Sequence, residues 1–235
     1  MNDNKTAEST NSKLLDLYLQ WSQKIDNSLF GDKFSNPYYI SVPRDWWKKK
    51  NRIMIVGEEG AGQWGAGKAY LLKGDEKWNP QTETGINIIM EYNDQTVERK
   101  DCRRGMFWSR IRQICNLNKD ISIVWNNIDK IHRLGNKGRE CKLTDKQRKL
   151  LHQESILEKE IEILKPTIIV FLGWHWTSLQ KELPELYDYA KQKYADNKNE
   201  PFVLKDKVFS LHPNSPVGRT RVYGESVLEQ IKSLL

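Results

Sequence analysis

The sequence predicts an α/β protein, a three-layer α/β/α sandwich around a central, four-stranded and mainly parallel sheet. Short runs rich in β-branched residues are typical of buried parallel strands. Four such runs lie at residues 52–56, 121–125, 167–172 and 207–211. Amphipathic stretches with a helical period separate and follow these runs. This alternation predicts right-handed crossovers, which place helices on both faces of the sheet.

The amphipathic stretches define the predicted helices. They lie at residues 105–116, 144–164, 174–183, 184–194 and 223–235. The boundaries of the second helix are the best marked. Thr144 and Gln147 have the spacing of a capping box, and Pro166 prevents the helix from continuing into the third strand.

Length and composition predict a single domain. The chain has 235 residues and 38% hydrophobic residues, enough for one core of ordinary size. We expect residues 1–11, which are polar, to be disordered and residues 12–235 to form one α/β domain. Residues 12–50 form a helical and aromatic segment before the first strand. We expect the protein to be a monomer.

The charge of the chain is compatible with two interpretations. The formal net charge is +7, which suits a polyanionic partner because Lys and Arg neutralise phosphates and release counterions. Simple solubility explains the same charge equally well. The chain has neither a long apolar run nor a signal-peptide pattern, so we expect a cytoplasmic protein without a membrane partner.

The three cysteines argue against a metal centre. Cys102, Cys115 and Cys141 are widely spaced and form no C-x-x-C pair. This arrangement is not typical of a zinc site, an iron-sulfur cluster or a disulfide framework. We therefore expect neither a metal nor another cofactor.

Polar residues follow three of the four predicted strands at their carboxyl ends, where open parallel sheets bind their ligands. Glu58 and Glu59 follow the first strand, Asn126 and Asn127 the second, and His212 the fourth. A carboxylate can stabilise a cationic sugar, an amide can read the pairing edge of a base, and an imidazole can support negative charge on a departing base. These residue types therefore suit cleavage of a nucleotide's glycosidic bond.

Four motifs at these strand ends resemble the uracil-DNA glycosylase superfamily, most closely its branch with a Gly-Glu-Ala-Pro-Gly first motif. Residues 53–61 read Ile-Met-Ile-Val-Gly-Glu-Glu-Gly-Ala, and residues 124–130 read Val-Trp-Asn-Asn-Ile-Asp-Lys. Residues 164–173 read Leu-Lys-Pro-Thr-Ile-Ile-Val-Phe-Leu-Gly, and residues 209–219 read Phe-Ser-Leu-His-Pro-Asn-Ser-Pro-Val-Gly-Arg. The resemblance covers roughly residues 50–235, and its main support is that the four motifs occur in the same order as in the family.

The resemblance implies roles for five residues. Glu58 matches the acidic position of the closest branch, whereas Glu59 matches the water-activating Asp of Gly-Gln-Asp-Pro members, so either could be the catalytic carboxylate. Asn127 matches the base-reading Asn of the closest branch. Asn126 matches that of the single-strand-selective branch, and one of the two could simply cap or turn the chain. His212 matches the catalytic His.

The resemblance also implies a DNA-contacting loop after His212. Such a loop fills the gap that a flipped nucleotide leaves in the base stack and contacts its phosphates. It would include Pro213, Asn214, Ser215, Arg219 and Arg221. An ordinary basic loop is the alternative interpretation. Backbone amides at the start of the following helix could also bind a phosphate.

Departures from the family pattern cluster at the base pocket. Gly60 replaces the Pro of the first motif, and Ile88 stands where the base-stacking aromatic residue is expected. Trp64, Tyr70 or Trp78 would have to stack on the base instead. We therefore hypothesise that the excised base is uracil or a modified pyrimidine, such as a bulky modified cytosine of phage DNA, with a role in antiviral defence.

Two other classes of function remain as alternatives. Residues 62–68 read Gly-Gln-Trp-Gly-Ala-Gly-Lys and have P-loop spacing. Ala69, however, stands where a P-loop carries Ser or Thr for magnesium. A DNA-binding module that keeps the fold without catalysis is the second alternative. For the enzyme, no catalytic Lys is apparent at the strand ends, so we expect base excision without strand cleavage.

Overall fold

The computed structural model of the protein describes residues 6–30, 34–58, 79–98, 105–134, 140–196 and 200–235. It contains an α/β fold with a five-stranded mixed sheet. The strands are β1 (Asn51–Gly57), β2 (Ile121–Asn127), β3 (Arg133–Leu134), β4 (Glu140–Cys141), β5 (Ile168–Leu172), β6 (Phe202–Leu204) and β7 (Lys207–Ser210). The main sheet has the order β2-β1-β5-β7-β6, and β3 pairs with β4 in a separate hairpin.

The predicted α/β class and the four predicted strands are confirmed, but the expectation of a four-stranded sheet was wrong. β1, β2, β5 and β7 pair in parallel, and β6 adds a fifth, antiparallel edge strand next to β7. β6 has only three residues, too few for a visible sequence period. It is joined to β7 by a two-residue turn in which Lys205 adopts a left-handed φ of 57°.

Eight α-helices and two 3-10 turns surround the strands within the described ranges. The helices are α1 (Ala7–Lys24), α2 (Glu83–Glu98), α3 (Met106–Cys115), α4 (Asp145–Leu151), α5 (Leu157–Leu164), α6 (Trp176–Glu182), α7 (Pro184–Asp196) and α8 (Arg221–Lys232). The 3-10 turns are Asn27–Phe30 and Trp46–Lys48. None of the helices in the described part has both the length and the apolar character needed to cross a membrane.

The first helix begins earlier than the sequence suggested. Residues 7–11, expected to be disordered, form the first turns of α1. Thr6 and Ser9 make a reciprocal capping box there, which satisfies N–H groups that a helix start leaves without intrahelical partners. Thr10 is buried, so the helix start also packs against the domain. Residues 1–5 lie outside the described residues.

The long helix predicted at residues 144–164 is in fact two helices, α4 and α5. The predicted capping box of Thr144 and Gln147 does begin α4. The chain then leaves the helix at His152, and α5 starts at Leu157 without a side-chain cap of its own. The Glu182 carboxylate, which comes from α6, accepts hydrogen bonds from the backbone N–H groups of Ile156 and Leu157. A distant carboxylate therefore supplies the cap that stabilises the break.

Helices contact both faces of the sheet. Successive side chains of a strand point to opposite faces. Asn126 of β2 bonds Glu160 of α5, and Glu160 also accepts a hydrogen bond from Tyr18 of α1. Trp125, the neighbouring residue of β2, packs edge-on against Trp108 of α3. α1 and α5 therefore lie on one side of β2, and α3 lies on the other.

Candidate functional site

The register of the parallel strands aligns the ends from which the predicted site residues come. Gly57 at the end of β1 is opposite Asn127 of β2 on one side and Leu172 of β5 on the other. Leu172 in turn is opposite Ser210 of β7. Because the strands end at the same level, the residues that follow them project from one edge of the sheet.

The Asn127 side chain is an unsatisfied amide inside this edge. The residue is only 1% exposed, and among the described residues neither its amide nitrogen nor its amide oxygen has a hydrogen-bond partner. A Cβ atom on Gly57 would lie 2.9 Å from the Asn127 Oδ1 atom. The glycine therefore leaves room for the amide. A buried amide without partners costs folding free energy, so it is a strong candidate for a group that bonds a ligand.

The neighbouring Asn126 has a different environment. Its Nδ2 group donates to the Glu160 carboxylate at 2.8 Å, and its Oδ1 atom accepts hydrogen bonds from the Lys130 ammonium and from the backbone N–H of Asn127. Lys130 and Glu160 form a fully buried ion pair at 2.6 Å, which Tyr18 joins through its hydroxyl. Asn126 is thus part of a buried network that connects β2 with α1 and α5, and its amide is fully engaged.

Glu58 is the described carboxylate at the end of β1. Its side chain is 19% exposed, and it pairs at 3.4 Å with the ammonium of Lys142, which is 72% exposed. Lys142 directly follows the β3–β4 hairpin, which brings it to the sheet edge. Lys142 is not among the residues predicted from the sequence, because it lies 15 residues after the end of β2 and belongs to no motif. Its pairing with Glu58 depends on the hairpin.

His212 follows β7 and is held by contacts on several sides. The backbone N–H of Asn214 donates to its Nδ1 atom at 3.2 Å, so the neutral ring carries its proton on Nε2. Burial lowers the pKa of His212, and the nearby Lys142 ammonium lowers it further, while the Glu58 carboxylate acts in the opposite direction. The imidazole is therefore neutral at pH 7 and presents an N–H donor.

Phe107 and Gly173 fix the position of the His212 ring. The ring of Phe107, on α3, stacks on the imidazole with centroids 5.9 Å apart. On the other side, Gly173 adopts a φ of 89°, and a Cβ atom there would lie 3.0 Å from the Cβ atom of His212. No sequence motif indicates the stacking position of Phe107.

The loop after His212 is compact. The Ser215 N–H donates to the carbonyl of His212, and the Ser215 hydroxyl accepts from the N–H of Gly218. Pro213 is buried and Asn214 is exposed. Two exposed cations, Arg219 and Arg221, end the loop.

A second buried network lies behind the sheet edge. The His152 imidazole bonds Asp129 at 2.8 Å and Glu182 at 2.5 Å, and Arg148 pairs with Asp129 at 2.9 Å. Burial opposes protonation of His152, but the two carboxylates outweigh it and raise its pKa to about 9. Asp129 also connects to the site, because its N–H donates to the carbonyl of Glu58 at 2.9 Å. This network fixes the backbone from which Glu58 projects.

The other predicted site residues lie elsewhere or cannot be placed. Ile88 is half-buried on α2, a helix that packs against α1. Glu59, Trp64 and the P-loop-like residues 62–68 lie outside the described residues. Gly60, Tyr70 and Trp78 do so as well.

No metal-binding arrangement is present in the described ranges, where no group of three or more His, Cys, Asp or Glu side chains could hold an ion. Comparison with known proteins identifies no relative: no family model matches the sequence, and no curated protein matches it.

Proposed function

We propose that this protein is a DNA glycosylase, which flips a base out of DNA and hydrolyses its N-glycosidic bond. The observation that carries the proposal is the buried amide of Asn127. Its donor and acceptor atoms are both without partners among the described residues. The pairing edge of a pyrimidine offers an acceptor and a donor side by side, which is the complement of an amide. The resemblance of the strand-end motifs to uracil-DNA glycosylases supports the same assignment.

In this mechanism Glu58 acts on the sugar. Cleavage of the glycosidic bond develops positive charge on the deoxyribose, and a carboxylate near it stabilises that charge and orients the attacking water. The ion pair with Lys142 at 3.4 Å holds the Glu58 carboxylate at the sheet edge. Glu59 remains an alternative carboxylate. Water attacks the anomeric carbon, its proton passes to the carboxylate, and an abasic site remains.

His212 acts on the departing base. The bond electrons move to the base, where they create an anion. The neutral imidazole donates its Nε2–H to that anion, a role that suits the lowered pKa of His212 and the hydrogen bond to its Nδ1 atom. Stacking against Phe107 holds the ring in orientation. The base anion takes up a proton from water as it leaves as the free base, and the carboxylate returns its proton to solvent.

The substrate is a DNA strand with uracil or a modified pyrimidine as its target. The net charge of +7 and the exposed cations Arg219 and Arg221 are suited to the phosphate backbone. The departures at Gly60 and Ile88 favour a base other than plain uracil, such as a modified cytosine of phage DNA. The finer fold assignment, a glycosylase-type α/β/α sandwich with β6 as an added edge strand, is part of the same proposal.

The test is base release from defined oligonucleotides. The full-length protein is incubated with DNA that carries uracil, hypoxanthine, hydroxymethylcytosine or its glucosylated form, and abasic sites are measured by alkaline cleavage. Glu58→Gln and His212→Ala are each expected to reduce release at least about 100-fold. Glu185→Gln, which neutralises an exposed acid on α7, is the matched control and should leave release unchanged.

The result that would overturn the proposal is equally specific. If the protein binds DNA in a salt-sensitive manner but releases none of these bases, a non-catalytic DNA-binding module replaces the glycosylase. Release that persists in both Glu58→Gln and His212→Ala would exclude the assigned mechanism.

A further inference from the structure

A polar pocket lies between α3 and the start of α8. Its volume is about 250 Å³. Its lining includes Met106 and Arg110 from α3, and Arg219, Thr220, Arg221 and Gly224 around the start of α8. Three guanidinium groups therefore surround one pocket. The acidic residue in its lining, Glu225, is paired with Arg221 at 2.7 Å.

Arg110 is the unusual member of this set. The residue is only 4% exposed, and its Nη1 group has no hydrogen-bond partner within the part of the chain that the structure describes. A Cβ atom on Gly224 would lie 2.2 Å from its guanidinium, so the glycine is what allows the group to lie against α8. Burial lowers the pKa of Arg110, and Tyr223 acts in the opposite direction. Because no described acid forms an ion pair with Arg110, its guanidinium is a candidate for binding an external anion.

The start of α8 offers donors to the same pocket. The helix has 12 residues, and Thr220 caps it by accepting from the N–H of Tyr223. The N–H group of Arg221, a residue of the pocket lining, lies in the first turn, where no intrahelical carbonyl can accept from it. Helix starts bind phosphates through such N–H groups and the helix dipole. The buried guanidinium and the helix start thus converge on one kind of ligand.

Both helices that line the pocket also contact His212 or the residue before it. On α3, Arg110 comes three residues after Phe107, the residue that stacks on His212. One helical turn therefore separates the two side chains. On α8, the hydroxyl of Tyr223 accepts from the N–H of Leu211, the residue before His212. A ligand in the pocket would lie next to the site.

We infer that this pocket binds a phosphate group, and that the group is a phosphodiester of the DNA strand that carries the target nucleotide. Arg110 makes the buried contact, and Arg219, Arg221 and the first turn of α8 complete it. The identity of the ligand rests on the proposed function, whereas the phosphate chemistry rests on the pocket. A phosphodiester held there anchors the backbone beside His212 while the nucleotide is flipped.

Binding of DNA by the full-length protein tests the inference. The dissociation constant for a 20-mer duplex is measured by fluorescence anisotropy at several salt concentrations. We expect Arg110→Gln to weaken binding at least about tenfold and to reduce the salt dependence by about one released counterion. Lys181→Gln removes the same charge from an exposed position on α6 and should change binding less than about twofold.

A second variant separates binding from folding. Arg110→Met removes a buried cation whose Nη1 group has no partner among the described residues, so its thermal unfolding midpoint should equal or exceed that of the original protein while DNA binding is lost. If Arg110→Met unfolds earlier and binds DNA as before, Arg110 is structural and the inference is wrong. Free phosphate is the other possible ligand of the pocket, and titration with inorganic phosphate tests it. If Arg110→Gln loses phosphate binding but binds DNA as before, the DNA backbone is excluded as the ligand.

The outcomes distinguish this inference from the proposed function. If Arg110→Gln loses DNA binding although no base is ever released, the pocket is confirmed and the glycosylase proposal fails. If bases are released and Arg110→Gln binds and cleaves like the original protein, the pocket assignment fails and the glycosylase proposal stands.

Discussion

Two adjacent asparagines at the end of β2 have different roles, although they are only one residue apart in the strand. Asn126 and Asn127 point to opposite faces of the sheet. The Asn126 amide completes the buried network of Lys130 and Glu160. The Asn127 amide has no partner among the described residues, although it is just as buried. Identical side chains therefore have opposite effects on the free energy of unfolding.

Replacing each asparagine by alanine should separate stability from activity. Asn126→Ala leaves part of a buried ionic network unpaired and should lower the free energy of unfolding by roughly 2–4 kcal/mol. Asn127→Ala removes no hydrogen bond to any described residue and should change the free energy of unfolding by less than about 1 kcal/mol. In the base-release assay only Asn127→Ala should lose activity while it remains folded. Urea denaturation measures the two changes in the free energy of unfolding. Equal destabilisation of both variants would contradict the assignment of Asn126 alone to the buried network.

Burial is the main cause of the lowered pKa of His212, and Lys142 should add to it. The Lys142 ammonium lowers the pKa of His212, so its removal should raise that pKa. In Lys142→Gln the imidazole would then protonate at a higher pH than in the original protein, and the acid limb of the pH-activity profile should move to higher pH with it. NMR titration of the His212 ring measures the shift directly. Lys181→Gln serves as the control, and a lower pKa in Lys142→Gln would refute the electrostatic assignment.

At the scale of secondary structure, the ends of the strands determine the site. β1, β2, β5 and β7 end in register, and short turns then direct Glu58 and His212 outward. Gly173, which follows β5, is needed in its turn for two reasons. Its φ of 89° is strained for any residue with a Cβ atom, and His212 occupies the adjacent space.

Gly173→Ala should therefore disturb the site more than an ordinary turn substitution. The strained backbone should lower the free energy of unfolding by about 1–3 kcal/mol, and the new methyl group should displace His212, whose ring resonances would shift. Gly105→Ala is the matched control. Gly105 has a φ of 108°, but among the described residues no atom lies within 4 Å of its added Cβ. Gly105→Ala should therefore lower the free energy of unfolding through backbone strain, but it should leave the ring resonances of His212 unchanged.

At the scale of the whole molecule, two buried histidines give stability opposite dependences on pH. Contacts with Asp129 and Glu182 overcome burial and raise the pKa of His152 to about 9, so its contribution is complete below pH 6.5 and is lost as pH rises toward 9. Burial lowers the pKa of His132 to about 4, so its contribution is complete above pH 6.5 and is lost as pH falls toward 4. Each contribution is roughly 3 kcal/mol.

The protein should therefore be most stable near pH 6.5. Urea midpoints measured between pH 4.5 and 9.5 should fall on both sides of this value. His152→Gln should flatten the alkaline limb of the curve, and His132→Gln should flatten the acid limb. Stability that continues to rise from pH 6.5 to 9 in the original protein would show that His152 is not protonated in the folded state.

The sequence by itself determined the α/β class and the positions of the parallel strands, because both depend on local periods and on β-branched runs. The polar residues after those strands followed from the same pattern, and so did the capping box of Thr144 and Gln147. Tertiary structure decided the rest. Which asparagine faces the site, the split between α4 and α5, and the pairing of Lys142 with Glu58 all depend on contacts between residues far apart in the chain. The local sequence does not indicate that Arg110 is buried against Gly224, because this burial results from the packing of α3 on α8.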